Sequence, residues 1–276
     1  MPTLATSSPS GSRVFALLTA LTALLLLPGC FTFDVLLTVR PDGSGLVEQI
    51  FVLQGPMLEM LRMFSEEDEL ALCREDELRQ ETSTMGEGVR LVSVELTDED
   101  DTLGCRTVYS FDDINTLTLN LAPDSQLPAS MEADETESNA TPDFTFSFTP
   151  GSPASLVMNI PQSDEDDAVN DNPETAPVDS TTRAQQLNMM RRMLRGGRLS
   201  MAVELEGTVT ESNATYLLDN VVTLLEIDFD RFLEDDVQLE RLADANPTSP
   251  EEVRALLEEV EGIKVETLEE VFIRFK

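Results

Sequence analysis

From residue 31 onward the chain alternates. Phe31, Phe33, Val35, Leu37 and Val39 take every second position, and Thr32, Asp34, Thr38 and Arg40 fill most of the others. A period of two is the pattern of a half-buried strand. "PDGSG" at 41–45 supplies a turn and "LVEQIFVL" at 46–53 a return strand, so this stretch opens as a hairpin. "VRLVSVEL" at 89–96 and "CRTVYSF" at 105–111 predict a second hairpin, with "TLTLNL" at 116–121 extending the sheet. "DFTFSFT" at 143–149 places Phe144, Phe146 and Phe148 on one face, and "LVMNI" returns after a "PGSPAS" turn. "RLSMAVELEG" faces Leu199, Met201, Val203 and Leu205 inward. Residues 214–228 read as strand, Asp-Asn turn and strand, and "IKVETLEEVFIRF" as one closing strand.

Between these runs the pattern changes. Residues 56–82 keep an approximate helical period, with a capping sequence at Ser65-Glu66-Glu67-Asp68 that splits them into two helices. Residues 182–197 end in two glycines, as a helix does. A short helix follows residue 229, and Ser249-Pro250-Glu251-Glu252 starts another that runs to about 261. Residues 122–142 and 161–180 are polar and acidic, and read as flexible loops. The expected fold class is α+β: a mainly antiparallel sheet built from hairpins, with three to four helices packed on it.

Everything before residue 30 is different in kind. Residues 1–13 carry one base, Arg13, and no acid, and Val14 to Leu27 are apolar except for Thr19 and Thr22. As a helix that run spans roughly 21 Å at about 1.5 Å per residue, short of a bilayer core of about 30 Å. It has the build of a secretory signal over 1–29. Leu27-Pro28-Gly29-Cys30 then resembles the lipobox of bacterial lipoproteins, with Leu27, Gly29 and Cys30 in pattern and Pro28 departing from it. The resemblance implies that Cys30 is lipidated, becomes the first residue of a mature domain spanning 30–276, and joins it to a membrane through diacylglycerol and a further acyl chain. It also implies a bacterial envelope location facing periplasm or exterior. Phe31, where an Asp would retain the protein in an inner membrane, favours an outer membrane where the cell has one.

Composition narrows the function. There are 53 acids against 18 bases, a net charge of −35, and no histidine. Such a surface repels phosphate backbones, which argues against nucleic acid as a partner. An acidic chain whose only lysines are Lys264 and Lys276 is one suited to high salt. Without histidine, histidine-based acid–base or nucleophilic catalysis is excluded and most zinc sites with it. The acidic runs 98–101 and 164–167 lack the spacing of a calcium loop and read as solvated tips, so no metal and no cofactor are expected. With Cys30 lipidated, Cys73 and Cys105 remain, and in an exported chain they point to a disulfide, the alternative being two buried thiols.

Arg183, Arg191, Arg192, Arg195 and Arg198 form a basic cluster. Arg191, Arg192 and Arg195 are candidates for contact with a partner or a lipid headgroup. The competing reading, preferred in so acidic a chain, is counter-charge for the protein's own carboxylates. Met57, Met60 and Met63, or the three alternating phenylalanines, are candidates for an apolar pocket, and equally for core.

The layout also resembles the LppM-type lipoproteins. The resemblance rests on the hairpin turn within Val39–Gly45 and on Gly207-Thr208-Val209-Thr210-Glu211-Ser212-Asn213-Ala214, covering about 31–120 and 183–235. It implies an α+β envelope domain that holds lipid-like ligands, and it brings no catalytic residues. The expected function is therefore a non-enzymatic envelope lipoprotein with a binding or structural role, its partner an envelope protein. The alternative is a carrier or sensor of a lipid-like ligand.

Overall fold

The computed structural model describes residues 31–64, 72–99, 101–120, 143–161, 188–189, 191, 194–235, 237–238, 252, 255–257 and 260–276. The opening hairpin is β1 (Phe31–Val39) and β2 (Gly45–Gln54), joined by a turn in which Asp42 accepts from the Ser44 N–H at 3.0 Å and Gly43 takes φ +88°. Gly45 is obligatory for a different reason. A Cβ there would lie 1.9 Å from the Thr38 carbonyl oxygen and 2.4 Å from the Phe111 ring.

Helices α1 (Gly55–Phe64) and α2 (Glu75–Met85) follow. Pro56 sits at the start of α1, where its missing N–H costs nothing. Leu58 and Leu61 are buried. No side chain caps α2, but Glu75, Asp76 and Glu77 stand in its first turn, where carboxylates favour the helix dipole. Leu78 and Met85 bury its inner face. Next come β3 (Arg90–Glu99), β4 (Thr102–Phe111), a 3-10 turn (Ile114–Thr116), β5 (Thr118–Leu119), β6 (Phe144–Thr149) and β7 (Ala154–Asn159). The chain ends with β8 (Arg198–Leu205), β9 (Val209–Ser212), β10 (Leu217–Leu218), β11 (Val221–Asp228), α3 (Phe229–Phe232), β12 (Ile263–Val265) and β13 (Glu270–Phe275).

These strands form two sheets. The first has eight strands, ordered β10-β11-β8-β1-β2-β4-β3, with β12 pairing β11. The second has five, ordered β5-β6-β7-β13-β9. Their inner faces share one hydrophobic cluster, with Leu37, Val47, Tyr109 and Val203 contributed by the first sheet and Phe146, Leu156 and Ile273 by the second. Burying each large apolar side chain is worth about 1.5–3 kcal/mol, which fixes the register of each alternating strand.

This corrects the expected fold class. The protein is mainly β, with two sheets and a few short helices, rather than one hairpin sheet carrying a helical layer. The helical stretch at 56–82 does divide into two, and β5, β10 and β12 fall within stretches expected to be extended, but β9 is too polar to show a period of two. Nor is the large sheet built from hairpins alone. β1 and β8 run parallel, with Val35 opposite Met201 and Leu37 opposite Val203. The segment read as one closing strand is two, divided at 266–269 and placed in different sheets. The loops expected at 122–142 and 161–180 lie outside the described residues except for 161. Of the helices expected at 182–197 and 249–261 only scattered residues are described, among them the helical Met189, Arg191 and Leu194.

Candidate functional site

The strand directions bring a defined set of residues to the end of the large sheet where β1 begins. Phe31 stands opposite Leu53, and Thr32 opposite Arg198. β11 runs the other way, so it delivers Asp228 and α3 to this same end, where the Phe229 N–H donates to the Gly197 carbonyl at 3.1 Å. Gly197 has no room for a side chain, since a Cβ would meet the Phe31 ring at 2.7 Å. The rings of Phe31 and Phe229 lie 5.4 Å apart and those of Phe229 and Phe232 6.4 Å, within the range of favourable aromatic pairing.

Basic side chains occupy the same end of the sheet, with Arg198 on the face opposite Phe31. Arg191 Nε donates to the Leu233 carbonyl at 2.7 Å. Arg198 pairs with Asp34 at 3.3 Å and Arg231 with Asp228 at 3.5 Å, with side chains 57% and 72% exposed. Arg195 is exposed in the turn that precedes β8. Two of the three arginines singled out by sequence, Arg191 and Arg195, thus reach the pole where the described chain begins. Arg192 and Cys30 lie outside the described residues. Arg231 went unnoticed in the sequence because it is thirty-odd positions from the cluster and joins it only through α3.

Cys73 and Cys105 are joined in a disulfide, with 6.4 Å between their Cα atoms. It ties the approach to α2 onto β4. Beside it, the inner face of the large sheet carries polar groups that the alternating pattern should have flagged. Gln49 and Thr107 stand opposite each other across β2 and β4, both buried, with the Thr107 hydroxyl 3.5 Å from the Gln49 amide oxygen. Gln49 also lines a cleft of about 180 Å³ between α2 and β5, whose polar lining further includes Glu81, Thr84, Asn120 and Asp143. The Tyr109 hydroxyl donates to Glu81 Oε2 at 3.3 Å. Burial, then the charge of Glu81, push the phenol well above its ordinary range, so it is a fixed donor.

Of the apolar candidates, the phenylalanines are structural. Phe144, Phe146 and Phe148 are buried in the common core. Met57 packs against it while Met63 is 74% exposed, so these two methionines do not share a lining, and the Met60 side chain lies outside the described set. Among the described residues no three His, Cys, Asp or Glu side chains gather to hold a metal ion, and no helix is long and apolar enough to cross a membrane.

No family model matches the chain, and no curated protein does. Among solved structures the chain is similar to the NMR structure of the folded domain of LppM from Mycobacterium tuberculosis. The two are 12% identical, the likeness covers 73% of this chain and 85% of that one, and the TM-score is 0.29. That score is below what a shared fold requires.

Proposed function

We propose that the chain is a non-enzymatic lipoprotein of a bacterial envelope, anchored through Cys30 and facing periplasm or exterior, with a binding or structural role. The observation that carries this reading is the junction at Cys30. An apolar run ends in Leu27-Pro28-Gly29-Cys30, and the next residue, Phe31, already belongs to β1. No linker intervenes, so acyl chains on Cys30 would seat the large sheet directly on a bilayer. Two or three such chains anchor stably where one does not.

Mass spectrometry of the N-terminal peptide from the native envelope tests this. The expected result is a chain that starts at Cys30 and carries diacylglycerol, and Cys30→Ala should shift the protein from the membrane to the soluble fraction. An unmodified Cys30 in membrane-derived protein overturns the reading. Carriage of an apolar ligand has less behind it, because the phenylalanines that would line a pocket are packed in the core and the cleft at Gln49 is largely polar. Native mass spectrometry of chain purified in high salt, searched for a co-purifying lipid, tests that alternative.

A further inference from the structure

Charge is distributed unevenly along the end of the large sheet where β1 starts. Strands lie about 4.8 Å apart, so β8 and β11 stand roughly 5 and 10 Å to one side of β1, and β4 and β3 roughly 10 and 14 Å to the other. The β8–β11 side carries Arg195, Arg198 and Arg231 at the same end as the Phe31–Phe229–Phe232 trio. The β3–β4 side ends in Asp98, Glu99 and Asp101, and its edge strand exposes Leu96 to 66%. Among the described residues acids occur on the arginine side too, Asp34 paired with Arg198, Asp228 paired with Arg231, and Asp230, Glu234 and Asp235 in and beside α3, so this flank interleaves both signs where the β3–β4 tip carries acids alone. A guanidinium has five donors, so a single carboxylate partner leaves most of them for another anion.

Residue 30 is one peptide unit from Phe31, within about 3.8 Å. Anything that fixes residue 30 to a bilayer therefore fixes this end of the sheet to it. We infer that the anchored domain leans on its β8–β11–α3 flank, with Arg195, Arg198 and Arg231 meeting phospholipid phosphates, the phenylalanine trio at the interface, and the β3–β4 tip held off by like charge. The inference rests on the anchor reading above and adds an orientation to it. The asymmetry that drives it acts over about one Debye length, roughly 8–10 Å in physiological salt, which is comparable to the spacing of the two flanks from β1.

The chain contains no tryptophan, so a single introduced one reports its own position. The full lipidated chain is reconstituted into phosphatidylglycerol–phosphatidylcholine vesicles with brominated acyl chains, as Phe232→Trp, Leu96→Trp or Leu218→Trp, the last at a 76% exposed site at the far end of the sheet. The expected result is loss of emission at position 232 and unchanged emission at 96 and 218. Val237→Trp, at a 65% exposed site, repeats the measurement where substitution of Phe232 disturbs folding. Arg195→Glu with Arg231→Glu should remove the difference between 232 and 96. Equal quenching at 232 and 96, or stronger quenching at 96, in a chain that is acylated and floats with the vesicles overturns the orientation alone. A chain without acyl mass that stays in the supernatant overturns the anchor and the orientation with it.

Discussion

At the scale of single residues, two buried polar side chains decide more than their number suggests. Glu266 is 2% exposed, yet its carboxylate accepts from the Thr215 N–H at 2.7 Å, the Thr215 hydroxyl at 2.9 Å, the Thr267 N–H at 3.1 Å and the Leu268 N–H at 3.2 Å. An amide has only one acceptor oxygen and would turn an NH₂ toward these donors. Glu266→Gln should therefore cost about 2–3 kcal/mol of stability, read from urea unfolding midpoints, because hydrogen bonds to a charged group are the strong ones and orphaned buried donors are expensive. Tyr109 behaves differently. Its phenol titrates above the ordinary range because it is buried and faces Glu81. Below about pH 10 it is protonated in both folded and unfolded chains, and its contribution to stability is complete. As pH rises further the unfolded chain ionises first, and that contribution drains away toward the folded value. Tyr109→Phe should flatten the alkaline loss of stability, and denaturant midpoints at about pH 9 and about pH 11 check it.

Among the elements, the disulfide is the strongest local constraint. It closes a loop of sequence separation 32, and cross-linking a loop of that length removes about 3–4 kcal/mol of unfolded-state entropy. Cys73→Ser with Cys105→Ser should lose a stability of that order, seen as a lower urea midpoint with a steeper slope, because the unfolded chain without the cross-link exposes more surface. Its two cysteines were legible as the pair that remains once Cys30 is set aside. So were the strands with clean alternation, because β1, β2, β6, β7 and β8 each bury one face against the common core. A period of two reports which face is buried and says nothing about which strand lies alongside. The parallel β1–β8 pair and the division into two sheets were therefore not readable. β9 escaped because "VTES" has one apolar residue. The break at Glu266 escaped because a charged residue in "VETLEE" reads as surface, whereas here it is the buried acceptor that turns the chain from one sheet to the other. The basic side of the candidate pole was half legible, as the cluster in 183–198, and half hidden in α3.

For the whole molecule, the excess of charge outweighs its ion pairs. Pairs such as Arg90–Asp112 and Arg274–Glu211 have side chains more than half exposed, where each is worth little. Against them stands a net charge of −35. Raising salt from about 0.1 M to about 1 M shortens the Debye length from about 10 Å to about 3 Å and weakens both, but repulsion is the larger quantity. The thermal midpoint should therefore climb with potassium chloride, and a fall would show that the exposed pairs dominate. The last few residues hold the molecule together in another sense. β12 completes one side of the first sheet, and β13 lies between β7 and β9 in the second, both within 263–275. Until that stretch has been made, β7 and β9 have no strand between them, and β1 waits for β8 across more than half the chain. A growing polypeptide of this design keeps its second sheet open until residues 270–275 have been made. Translation thus sets the order in which the two sheets can close.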